Sequence, residues 1–312
     1  MAAEPGLHLV HSAGQAWHDN VRHGYGTDDG NEQPFKVLLS FWYYRTTDVA
    51  AFAAKFPRPP MVFADSGAYS AAQDGATIDV HDYADWLDTW RQHFTVMANL
   101  DVIHNAEASA ANQAVLEDRY DLPVLPVFHT GTPMEVLEGL LDRHAYIALG
   151  GQVGLTDRLR PWTVECFQRA RRTGTVFHGF GQTQTWMLAN LPWYSVDSSS
   201  WGKGHRYGQI GLWDGRRFQV AQVGDTASVY RIGGLVRAYG FDPADFADRD
   251  RYHRREMVKL SAASWRRYEQ HLRDRHGPIA MPGAGDGMHV YLADGSADNL
   301  IEAAAPRRTG GA

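Results

Sequence analysis

Two aspartates of this chain sit in contexts that suit covalent chemistry. Asp65 opens the block DSGAYS (65–70), and Asp197 lies within YSVDSSSW (194–201). Paired carboxylates with separate tasks suit substitution at an anomeric carbon. One attacks and forms a glycosyl ester, while the other trades protons with the leaving and incoming groups. Their surroundings must then hold the two pKa values apart. Asp101, His129, the pair Gly150 and Gly151, and the segment His178 to Gly181 recur at the ends of other apolar runs. Each alone also fits a cap, a turn or a structural histidine. Their recurrence at corresponding places favours one shared mouth.

Other chemistries fit less well. No His-X-His pair opens the chain, no HExxH helix is present, and His104, His129 and His178 are isolated, so a zinc hydrolase is disfavoured. HGFGQT does not match the phosphate loop GxxxxGK[ST], and no GxGxxG follows the first strand, so no nucleotide cofactor is expected. The single cysteine, Cys166, excludes both a disulfide framework and a thiolate-rich zinc site.

The elements that must position these residues read as alternating strands and helices. Apolar runs at 37–44, 61–65, 96–103, 124–129, 146–151, 175–181 and 193–201 read as buried strands, and 78–94, 133–143 and 158–172 have helical spacing. Thr132 with Pro133, and Thr156 with Asp157, offer helix starts. With an eighth strand at 209–213 or 218–223, the pattern predicts an α/β fold of the (β/α)8 TIM-barrel type. Function in that fold gathers at the C-terminal ends of the strands.

The expected organisation is a barrel over 1–240 with a lead-in at 1–35, then a basic helical extension over 241–276. A mostly flexible tail with one short strand, HVYLA, follows over 277–312.

With 44% hydrophobic residues the chain has ample core material, and no run is long enough to span a bilayer. A soluble cytoplasmic protein is expected. The net charge of −6 argues against coating nucleic acid by bulk charge, yet residues 200–312 carry roughly +4 against roughly −10 before them. Polyanion contacts are therefore expected in the C-terminal third, and the sequence leaves a homodimer open.

From Leu38 to Gly215 the order and spacing of six blocks resemble the guanine transglycosylase superfamily, which comprises queuine- and archaeosine-type tRNA enzymes and phage enzymes that place 7-deazaguanines in DNA. DSGAYS resembles the family's DSGG-[FY]-Q segment, which implies that Asp65 is the general acid/base and that Ser66 and Tyr69 lie near the base. NLDVI (99–103) is similar to the segment that reads the guanine edge, implicating Asp101. PVFHTG (126–131) stands where the family has IVQGG, which implies a base contact from His129. YIALGGQVG (146–154) resembles YAIGGLAVGE, whose glycine amides reach the base carbonyl, pointing to Gly150 and Gly151. HGFG (178–181) is similar to YLMGVG and implicates His178, and YSVDSSSW occupies the place of FDCVLPTR, which implies that Asp197 is the nucleophile.

The tRNA enzymes' zinc site of three Cys and one His cannot be built here, and SSSW replaces CVLPTR beside the nucleophile. The wording resembles the phage and prophage DNA-modifying branch more closely. The resemblance thus implies exchange of guanine in DNA, ahead of tRNA, for a 7-deazaguanine base, in a bacterial or phage-infected cell and with no cofactor. A flipped base would be sandwiched by aromatics such as Tyr69, Phe128 or Trp201. Lys203, Arg206, Arg216 and Arg217, with Arg251, Arg254, Arg255, Lys259, Arg266, Arg267, Arg273 and Arg275 of the basic helix, would track phosphates. A catalytically silent nucleic-acid-binding subunit, and a glycosidase or nucleoside hydrolase with water as acceptor, stand as the alternatives.

Overall fold

The structure, a computed structural model, describes residues 34–103, 105–151, 159–248, 254–281 and 286–305. Most of the expected lead-in, the helix start at Thr156 and Asp157, His104 and Arg251 lie outside these residues.

The first seven staves form where the apolar runs predict them. They are β1 (Lys36–Ser40), β2 (Met61–Asp65), β3 (Val96–Ala98), β4 (Val124–Leu125) continued as β5 (Val127–His129), β6 (Tyr146–Gly150), β7 (Val176–Gly179) and β8 (Ser195–Ser198). All neighbours pair in parallel, and β1 is buried along its whole length, as expected of strands covered on both faces. Pro126 divides β4 from β5 because it has no N–H for the ladder. Its carbonyl still accepts from Ala148, while Leu125 accepts from Asn99, so the broken stave joins β3 to β6.

The eighth stave is not at 209–213 or 218–223. Those segments are β9 (Gln209–Trp213) and β10 (Phe218–Gln222), an antiparallel ribbon separate from the barrel. The sequence Asp214-Gly215 between two β-rich runs is a hairpin signal, and the Asp214 carboxylate accepts from the amides of Arg216 and Arg217 to hold the turn. The barrel is closed instead by β11 (His289–Ala293), which pairs with β8 on one side and β1 on the other. Residues 286–305 are therefore part of the barrel and not of a mostly flexible tail, because they contain this stave and the helix Ala297–Ala304 with its buried Leu300.

The barrel consequently does not end at 240. Residues after Ser198 make a short helical turn, the ribbon and small helices that form a second core, in which Ile210, Leu212, Val229, Val236 and Phe246 meet Met257 and Leu260. Helix Arg254–His276 lies between the two cores, since its Val258, Ala262, Tyr268 and Leu272 pack into the barrel cluster. It is a barrel element rather than an appended basic helix. Lys36 of β1 pairs with its Glu269 at 2.6 Å in a buried ion pair. Among the described residues, no helix is long and apolar enough to cross a membrane.

A chain ending at residue 285 loses β11 and leaves β1 and β8 with unpaired edges. It is expected to be insoluble or to lack a cooperative thermal transition. A soluble product that melts like the full chain would contradict this closure.

Candidate active site

Period-two alternation decides which residues face the barrel interior. Phe63 points inward and meets the rings of His178, Phe180 and Tyr291. Asp65, two residues further along β2, therefore faces the same interior at the C-terminal mouth. On β8, Ser195 points inward to His178, so Asp197 also faces inward one layer higher. The two carboxylates, remote in sequence, share one mouth with Asp101.

The turn after β2 is built around Asp65. Gly67 has φ +75°, and a Cβ there would fall 2.1 Å from Ser40 Oγ, so only glycine fits. Its amide donates to Asp65 Oδ2 at 3.0 Å. Burial raises the Asp65 pKa most, the charges of Asp101 and Asp197 raise it further, and the amides of Gly67 and Ser66 oppose them. The outcome is a carboxyl pushed up to about 8, which is protonated at neutral pH. Asp197, largely buried, instead accepts from the Gly181 amide at 2.7 Å. A protonated carboxyl and an amide-bonded carboxyl thus share one mouth.

Asp101 is held by His129, whose Nε2 lies 2.7 Å from its Oδ2. This revises the expected role of His129, which engages Asp101 and leaves its buried Nδ1 without a hydrogen-bond partner. Its ring rests on Gly150, where a Cβ would lie 2.7 Å from Cε1, and Gly151 follows at φ +72°. The Gly-Gly pair therefore makes room for the imidazole that orients Asp101. His178 is wholly buried, stacked on Phe63 at 4.3 Å between ring centroids, and burial lowers its pKa. The interior thus holds it as a neutral imidazole.

Other expected site residues lie apart. Ser66 is buried in the turn, where its Oγ accepts from the Ala68 amide and its carbonyl from the Trp42 amide. Tyr69 is half exposed on the following helix and accepts from Gln73 through its hydroxyl. Trp201 is buried and donates to the Ala293 carbonyl at 2.9 Å, so it anchors the segment after Asp197 to β11 instead of offering a stacking face. Phe128 is also buried, stacked on Trp162.

The expected basic residues divide. Arg206 folds back onto the Ser199 and Gly202 carbonyls, and Lys203 is exposed beside it. Arg254 and Arg255 are exposed at the start of their helix, the latter 3.9 Å from Glu302. Further along that helix the arginines serve the fold. Arg273 donates to the Gly287 carbonyl, Arg275 to that of Ala189, and Arg267 lies over the Tyr239 ring.

Sequence reasoning missed Ser195 and Tyr146, which sit beneath His178, and Asp294, which holds His205 at 2.9 Å behind Trp201. The alternation in SVDS was the available signal for Ser195, since it places residues 195 and 197 on one face. Among the described residues no cluster of three or more His, Cys, Asp or Glu is arranged to hold a metal ion. No family model, curated protein or solved structure matches the chain. The chemistry is therefore read from the residues themselves.

Two outcomes follow. A raised carboxyl pKa favours the fold at low pH, and that contribution is lost as pH rises through about 8. Asp65→Asn should therefore gain on the wild type in unfolding free energy by on the order of 5 kcal/mol between about pH 4 and about pH 8, with no further gain at higher pH. An unchanged difference across the range would refute the elevated pKa. Gly150→Ala forces the His129 ring away and should cost about 1–3 kcal/mol in urea unfolding. Adding His129→Ala should recover part of that cost, and strictly additive losses would argue against the contact.

Proposed function

We propose that the chain is a base-exchange transglycosylase that replaces guanine in a polynucleotide, DNA ahead of tRNA, with a 7-deazaguanine base. The observation that carries this reading is the pairing of Asp65, a neutral acid at physiological pH, with the amide-supported carboxylate of Asp197 at one barrel mouth. The block resemblance described above supplies the substrate class.

In the first half-reaction an Asp197 oxygen attacks C1′ of the target nucleoside. The bond from C1′ to the base nitrogen breaks, and Asp65 gives its proton to the departing guanine. The products are a glycosyl ester on Asp197 and an Asp65 carboxylate. In the second half-reaction the incoming base surrenders its nitrogen proton to Asp65, attacks C1′ and releases Asp197. Each carboxyl returns to its starting state, so no external acid, base or energy source is consumed. The base must be unstacked to reach such a mouth, which favours unpaired or extruded nucleotides. Asp101, fixed by His129, is suited to accept hydrogen bonds from the amine edge of guanine, a pattern adenine lacks.

Incubation of the full chain with labelled guanine and either single-stranded DNA or tRNA should place label in the DNA. Asp197→Ala should abolish incorporation. The kcat/KM should be level near neutral pH and fall about tenfold per pH unit above about pH 8, as Asp65 loses the proton that it must donate. Net base release without incorporation would identify a hydrolase instead, and undiminished exchange by Asp197→Ala would overturn the assignment.

A further inference from the structure

Beneath Asp197 the barrel interior holds a connected row of polar groups that no step above employs. Tyr146 Oη lies 2.5 Å from Ser195 Oγ, and Ser195 Oγ lies 2.6 Å from His178 Nδ1. The other ring nitrogen, Nε2, faces Asp197 Oδ1 at 3.4 Å. The contact is long and poorly aligned for a hydrogen bond, and Nε2 has no other partner among the described residues.

The order serine, imidazole, carboxylate resembles a serine hydrolase triad, but burial assigns the roles differently. Ser195 is fully buried and engaged from both sides, which leaves no path for a substrate to its oxygen. Asp197 is the member at the mouth. Activation therefore runs toward the carboxylate rather than toward the serine.

We propose that Tyr146, Ser195 and His178 form a proton-ordered relay that positions Asp197, with His178 as a positioning residue that directs an Nε2 proton at Oδ1. The proposal rests on the reading of Asp197 as the nucleophile. Proton direction along the row follows from counting donors. If Tyr146 donates to Ser195, and Ser195 to Nδ1, the single proton of the neutral ring resides on Nε2 and meets the carboxylate. In the reverse order the Nε2 lone pair would face the Asp197 oxygen, and the Tyr146 hydroxyl would have to find another acceptor. Electrostatics selects the first order. The rings of Phe63 and Phe180 flank the imidazole and keep it from turning away.

The arrangement also distinguishes the two oxygens of Asp197. Oδ1 accepts from the Gly181 amide and faces His178, so Oδ2 is the oxygen left to attack C1′. In the glycosyl ester Oδ1 becomes the carbonyl oxygen, keeps the Gly181 amide and has the Nε2 proton of His178 directed at it. Those donors strengthen as the carboxylate re-forms, which assists its departure in the second half-reaction.

The test combines a spectroscopic and a kinetic measurement on the full chain. Nitrogen-15 NMR of the histidine rings, with the His178 signal assigned by its loss in His178→Gln, should show a neutral ring protonated on Nε2 between about pH 6 and pH 8. Ser195→Ala and Tyr146→Phe should each shift that ring toward a mixture of tautomers. The same two variants should lower kcat for guanine exchange by about 10- to 100-fold, with KM for the base within about twofold. A wild-type ring protonated on Nδ1, or full kcat in both variants, would overturn the relay. If the wild type exchanges no base, the functional reading fails, while the NMR result still decides the order of protons.

Discussion

Three carboxyl groups converge on one barrel mouth, and the rest of the site follows from the need to keep them from repelling one another. Asp65 responds by holding its proton, because burial and the charges of Asp101 and Asp197 both disfavour its anion. Asp101 is engaged by the His129 ring, and Asp197 by the amide of Gly181. Three acids of the same type thus have three different sets of partners. Such separation of titratable groups is the physical basis on which one site can hold both an acid and a nucleophile.

Several apparently unrelated features serve this arrangement. Gly67 brings the turn after β2 against Ser40 and turns its amide onto Asp65, while Gly150 makes room for the imidazole that holds Asp101. Asp197 depends on the late part of the chain, since β8 is flanked by β11, with Tyr291 in register beside it. Beyond β8, Trp201 and His205 are tied to the Ala293 carbonyl and the Asp294 carboxylate. The second core therefore stands on the barrel immediately behind the strand that carries Asp197.

The legible part of the fold was the part with unbroken apolar runs. Seven staves and their helices declare themselves because both strand faces are buried, and the carboxylates of residues 65 and 197 declare themselves by ending such runs. The eighth stave was hidden because the second core intervenes after β8 and its ribbon offers two more plausible strands. Helix Arg254–His276 looked like a basic surface because its arginines are numerous. Sequence does not reveal that Arg273 and Arg275 are committed to backbone carbonyls or that Met257 and Leu260 face a second core. Trp201 and His129 were assigned to the ligand for the same reason, since their partners, Ala293 and Asp101, lie far away along the chain. Residue type was legible, whereas long-range pairing was not.

Asp65 carries a proton at neutral pH in the company of two other carboxyl groups, and the site's division of roles depends on it. Infrared difference spectroscopy with carbon-13-labelled aspartate observes that proton directly. A carboxylic-acid carbonyl band is expected at neutral pH, bleaching with a midpoint near 8 and missing from Asp65→Asn. A neutral-pH spectrum without that band, or one in which the band persists in Asp65→Asn, would contradict it.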